Sequence, residues 1–208
     1  MSESVGFLYV NGLGDGRTTA KDKLVRWWWQ RAGLDVWHAH INWYDGKRLE
    51  DKLKTIESKV TQMLSEFGGV VIVGSSAGGS LAINSFYALR DRNVCAVSAH
   101  GRLGAGDYRD GHKMSLHHRA HLDGDKPSRS FYDSVKRVET DVIPKLGDQD
   151  KERLLILTQL TDLVVPLDLM EIDGVQQHRS FAFGHSGGFL AHLLADRDLI
   201  NDFARSVL

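Results

Sequence analysis

The chain has one cysteine, Cys95, three prolines and almost no net charge: 26 lysines and arginines stand against 27 aspartates and glutamates, a formal charge of -1 over 208 residues. Each shortage removes a class of reading. A single thiol rules out an internal disulfide and fits a reducing compartment, so the expected location is cytoplasmic. Few prolines and no low-complexity tract argue against a disordered linker, and no internal repeat is visible. Balanced charge gives no sign of a nucleic-acid partner or of a membrane surface. Long apolar runs are also missing. Val5 to Val10 is too short to cross a bilayer and lacks a basic start, so it reads as a strand and not as a signal peptide, with no membrane insertion. The length suits one domain, 1–208, with one sizeable core.

What the chain does have is alternation. Val5–Val10 runs into the glycine-rich Asn11-Gly12-Leu13-Gly14-Asp15-Gly16. Thr18 or Thr19 can cap a helix that runs to Ala32 and stops at Gly33, with Leu24, Val25, Trp28 and Ala32 on one face. Trp27 and Trp29 each lie about 100° from that face, so three consecutive indoles cannot all point inward. Leu34 to Trp43 reads as a second strand. Leu49, Leu53, Ile56, Val60, Met63, Leu64 and Phe67 trace a helical stripe closed by Gly68. Val70–Val73 and Val94–Ala99 read as buried strands. Between 101 and 130 the chain is polar, with glycines and histidines. Phe131 to Leu146 has partly helical spacing that Pro144 should interrupt. Leu154–Thr158 and Arg179–Phe183 are the last strands, and Leu190 to Val207 marks a C-terminal helix. Strands alternating with helices predict a mainly parallel sheet of about six strands, covered on both faces, an α/β class. Chemistry then gathers at the C-terminal strand ends, where Asn11-Gly12, Ser76, His100, Asp162 and His185 fall.

The strand Val70–Val73 leads into Gly74-Ser75-Ser76-Ala77-Gly78, a match to Gly-x-Ser-x-Gly centred on Ser76. Strand, sharp turn and helix is the context in which such a serine is pushed outward, because the two glycines have no Cβ to clash across the bend. A serine hydroxyl is a weak nucleophile without a base, and the base needs an acid to fix its tautomer. Asp162 after the penultimate strand and His185 after the last supply both, in the order Ser, Asp, His. Asp168, Asp173 and His178 are the nearest substitutes.

Other readings are weaker. Gly12-Leu13-Gly14 after a strand has the start of a dinucleotide fingerprint, but Arg17 occupies the third glycine position. His112, His117, His118 and His121 could bind zinc, yet a solvated polar segment explains them as well. His38 and His40 alternate on a strand and face a helix or the surface. No cofactor and no metal is expected.

With those residues in place, the sequence resembles a small α/β-hydrolase-fold serine hydrolase, esterase- or lipase-like. The resemblance rests on Asn11-Gly12-Leu13-Gly14, the Gly74–Gly78 elbow, Asp162–Pro166 and Gly184-His185, and it spans nearly the whole chain. The chain carries Asn11-Gly12 where the family often has His-Gly. It also lacks the usual first two antiparallel strands, like the minimal members. The resemblance implies an oxyanion hole of two backbone N–H groups, from Leu13 and Ala77, and a lid inserted at about 101–150. It implies hydrolysis of a small ester or thioester through an acyl-Ser76 intermediate. Amidase, lactonase or acyltransferase chemistry on the same triad is an alternative. So is a ligand-binding or protein-interaction module that keeps the fold with little turnover.

Overall fold

A computed structural model of the chain describes residues 4–105, 128–162, 164–183 and 185–208. Six strands, β1 Val5–Val10, β2 Asp35–Ala39, β3 Gly69–Ser75, β4 Val94–Ala99, β5 Leu154–Thr161 and β6 Gln176–Phe183, form one sheet in the order β2-β1-β3-β4-β5-β6. Every pairing is parallel. The helices are α1 Ala20–Arg31, α2 Leu49–Met63, α3 Ala77–Leu89, α4 Arg129–Arg137, α5 Asp148–Glu152, α6 His185–Ala195 and α7 Arg197–Val207. None is long and apolar enough to cross a membrane among the described residues.

The strands are apolar on both faces because both are covered, and side chains divide by parity. Leu8, Val10, Val70, Ile72, Ala96 and Ile156 pack with α2, α3 and α4. Phe7, Tyr9, Val71, Val73, Cys95 and Leu157 pack with α1, α6 and α7. The strand order reverses between β1 and β3, and the crevice beyond their C-terminal ends is where an open α/β sheet takes ligands.

Several expectations shift. Thr19 is the α1 cap, closing a box with Asp22: its N–H donates to Asp22 Oδ2 at 2.7 Å and its hydroxyl accepts from the Asp22 N–H at 3.2 Å. Trp29, not Trp28, is the buried indole of the triplet, 2% exposed against 39% for Trp28 and 50% for Trp27. Its ring meets Phe7 edge-on at 5.4 Å and its N–H donates to the Leu193 carbonyl. Trp28 and Trp27 lie on the surface beneath Arg197 and Arg31. β2 ends at Ala39, short of Trp43, because beyond it the chain pairs with the Asn11 side chain instead of with β1. His38 packs on Tyr9 and His40, and burial pushes its pKa down to about 4. β6 begins at Gln176, before Arg179, and the C-terminal helix is two helices parted at Asp196.

Within the segment 101–150 the structure describes residues 101–105 and 128–150. In its described part, α4 and the turns after it bury Phe131, Val135, Val138 and Val142 against α3 and the sheet, as the body of the β4–β5 crossover. The helix slackens to a π turn at Val138–Val142 and a tight turn at Ile143–Lys145, where Pro144 denies a backbone donor. The polar residues 106–127, with the four histidines at 112–121, lie outside the described residues.

Trp29→Ala should therefore destabilise the protein by about 3–5 kcal/mol in urea unfolding. Trp27→Ala should change it by less than about 0.5 kcal/mol; equal losses would contradict this assignment of the buried face.

Candidate active site

Ser76 joins β3 to α3 with φ 50° and ψ -119°, a left-handed backbone that a residue other than glycine adopts only where its surroundings force it. The surroundings are backbone. A Cβ on Gly74 would sit 2.1 Å from the Gly78 carbonyl oxygen, and one on Gly78 would sit 2.5 Å from that of Val10. Glycine at both places lets β1, β3 and α3 cross closer than any side chain permits. The Ser76 N–H donates to the Ala99 carbonyl at 2.9 Å, which ties the turn to the end of β4. The neighbouring Ser75 points the other way, fully buried, with its hydroxyl 2.9 Å from that of Tyr9.

The three residues expected to act together meet. Ser76 Oγ lies 2.7 Å from His185 Nε2, and His185 Nδ1 lies 2.7 Å from Asp162 Oδ2. The other oxygen of Asp162 accepts the N–H groups of Val164 and Val165 at 2.7 and 3.0 Å. Burial pushes the Asp162 carboxyl up. The neighbouring imidazoles of His100 and His185 and the N–H of Val165 outweigh that and hold it well below the usual carboxylate range. Asp162 is thus held as the anion against its burial.

Beside Ser76 opens a cleft of about 430 Å³ lined by Asn11, Gly12, Leu13, Val164 and His185 among others. Asn11 fixes this loop: its side chain accepts the Ile41 N–H at 2.7 Å and donates to the Ile41 carbonyl at 3.0 Å and the Gly12 carbonyl at 2.9 Å. A Cβ on Gly12 would come within 3.2 Å of Ser76 Cβ, so the loop backbone lies against Ser76. Leu13 follows directly. Ala77 opens α3, where a backbone N–H has no partner inside the helix.

Of the substitutes, Asp168 and Asp173 are exposed on the surface, and His178 stands against Asp196 at 3.6 Å. Among the described residues two neighbourhoods hold three ligand-type side chains each: the Asp162–His185 pair with His100, and His178, His192 and Asp196. In the second, His192 is engaged on both ring nitrogens, by the Thr158 carbonyl at 2.8 Å and by Asp196. His100 sits at the end of β4, where sequence alone placed it among the strand-end groups without a role. His192 and Asp196 gave no sequence signal, because a histidine and an aspartate on a helix look like surface.

The fold of this chain is that of the α/β hydrolases. No family model and no curated protein matches it, but solved structures do. A structure described with LipS and LipT, two metagenome-derived lipolytic enzymes, superposes with a TM-score of 0.67 at 15% identity, covering 99% of this chain and 95% of that one. A pyrethroid hydrolase from Sphingobium faniae JZ-2 gives 0.66 at 16% identity, covering 97% and 98%. A monoacylglycerol lipase from Paleococcus ferrophilus gives 0.57 at 13% identity, covering 97% and 94%.

Gly78→Ala is expected to cost more than about 3 kcal/mol, since its Cβ would meet backbone oxygens that cannot turn away. Gly14→Ala, where a Cβ meets nothing within 4 Å, should stay within about 1 kcal/mol of the parent. Urea unfolding of both variants tests whether crowding at the elbow, and not glycine as such, sets the requirement.

Proposed function

We propose that the protein is a serine hydrolase that cleaves small carboxylic esters or thioesters, with Ser76 as nucleophile, His185 as base and Asp162 as the acid that orients it. The continuous relay from Ser76 Oγ through the His185 ring to Asp162, at 2.7 Å for both contacts, carries this reading. Asp162 accepts from His185 Nδ1, which leaves Nε2 with its lone pair toward the serine. As Oγ attacks the acyl carbonyl, Nε2 takes the hydroxyl proton and the carbonyl electrons move onto oxygen. The N–H groups of Leu13 and Ala77 are the donors for that oxyanion, each able to lower the barrier by roughly 3–4 kcal/mol. Collapse expels the alkoxide or thiolate, which takes the proton from His185. Water, deprotonated by the same nitrogen, then frees the acid and restores Ser76.

The kinship in fold with lipolytic enzymes and a pyrethroid hydrolase supports ester chemistry. The cleft of about 430 Å³ fits a small acyl or alcohol group better than a long chain.

A fluorophosphonate probe and p-nitrophenyl esters of rising chain length test the reading. Ser76→Ala should abolish labelling and lower turnover by about 10⁴-fold or more while the protein stays folded. Activity of Ser76→Ala with loss in Ser75→Ala would reverse the assignment. The pH profile adds a second check. Asp162 is ionised far below neutrality, so the acid-side loss of kcat/KM belongs to an imidazole and should begin above about pH 5. A limb confined to the carboxylate range near pH 4, or one unchanged in His185→Ala, would remove His185 as base.

A further inference from the structure

We infer that His100 is a positioning residue for this site: an N–H on its Nδ1 supports the Asp162 carboxylate as a second imidazole beside His185. The inference rests on the triad reading given above. Its basis is a conflict that the fold tolerates in one place. His100 is fully buried at the end of β4, its φ is 54°, and only it and Ser76 among the described residues other than glycine take a positive φ. Its backbone N–H is satisfied by the Leu157 carbonyl at 2.9 Å. Its ring is not: neither nitrogen has a hydrogen bond of good geometry. A buried polar ring in a strained backbone calls for a reason.

The Asp162 carboxylate supplies one. His100 Nδ1 lies 3.5 Å from Asp162 Oδ2, the same oxygen that meets His185 Nδ1. Asp162 Oδ1 is already taken by two backbone donors. With no solvent on this side chain, a carboxylate needs several donors to remain charged, and the two imidazoles share the second oxygen.

Burial, more than the charges around it, keeps His100 neutral. Asp162 faces it from the end of β5. His185 and His192 face it from α6, with ring centres 6.2 and 4.9 Å away, and Asp196 and His178 stand behind His192. Burial lowers the His100 pKa, and the two neighbouring imidazoles add to that against the pull of Asp162. Only the Nδ1–H tautomer then offers a hydrogen to the carboxylate. By drawing on Asp162, His100 leaves less of its charge for the imidazolium of His185.

Two measurements test this. In protein labelled with 15N-histidine, long-range 1H–15N spectra near neutral pH should show His100, assigned by its loss in His100→Asn, as the Nδ1–H tautomer; an Nε2–H form overturns the proposal. The second is the rate of fluorophosphonate labelling against pH. His100→Leu removes the donor, Asp162 leans wholly on His185, and the acid limb should move up by about 0.5–1 pH unit. His100→Asn keeps an N–H at the δ position and accepts positive φ, so its limb should stay near the parent's. A uniform loss of rate with an unmoved limb in His100→Leu would reduce His100 to filling space and overturn the proposal. Should the leucine variant fail to fold, the tautomer alone decides. Failure of the triad itself would show differently, as labelling of Ser76→Ala, with the His100 tautomer unaffected.

Discussion

The absence of room at one crossing point governs this structure. Where β3 turns into α3, backbone from three places in the chain comes together: the loop after β1, the elbow and the loop after β4. Any Cβ on Gly74, Gly78 or Gly79 would lie within 2.5 Å of another segment. Gly101 is pressed against Gly79 in the same way. Such contacts leave the turn no freedom to relax, so Ser76 holds its left-handed backbone and the strain is carried by packing on every side. The same crowding brings Leu13, Ser76 and His100 to one edge of the sheet, although they are far apart in sequence.

On that rigid base sits a buried charge. An aspartate deep in a protein is costly unless nearly every lone pair is engaged. Asp162 meets the condition with two backbone N–H groups from the turn that follows it and with the His185 imidazole, while the His100 ring lies 3.5 Å away. The turn into Pro166 is therefore part of the electrostatics. It curls the chain back so that the N–H groups of Val164 and Val165 point at the carboxylate. Strand order does the remainder, since β4, β5 and β6 are neighbours. His100, Asp162 and His185 follow them in turn.

What could be read in the sequence follows from the range of the forces involved. The elbow is local: glycines two residues either side of a serine, between a β-branched strand and an apolar helix, fix its geometry. The four inner strands β1, β3, β4 and β5 were legible because burial on both faces writes continuous apolar runs. The face of α1 was not, because three consecutive tryptophans satisfy several helical stripes, and the choice of Trp29 is made by Phe7 and Leu193. The end of β2 was hidden for a similar reason: Asn11, some thirty residues earlier, takes the Ile41 backbone groups that pairing would otherwise use. The surroundings of His100 depend on β5 and α6, so position in the chain marked it as a strand-end histidine and said nothing of its partner.

The described part of the segment after β4 shows how a buried polar cluster ties one helix to another. Irregular periodicity and glycines make residues 101–150 resemble an insertion, and helix ends at surface loops often move. Yet the Ser134 hydroxyl on α4 lies 2.9 Å from that of Ser80. Asn84 donates to the Ser134 carbonyl at 2.9 Å and to its hydroxyl at 3.1 Å. Ser80 and Asn84 belong to α3, the helix that carries the elbow, and all three are fully buried. Swinging α4 away would strip these groups of partners at about 1–3 kcal/mol each and expose Phe131, Val135 and Val138 as well. That cost is comparable to the whole stability of a domain. α4 is therefore fixed to the back of α3, where it braces the elbow.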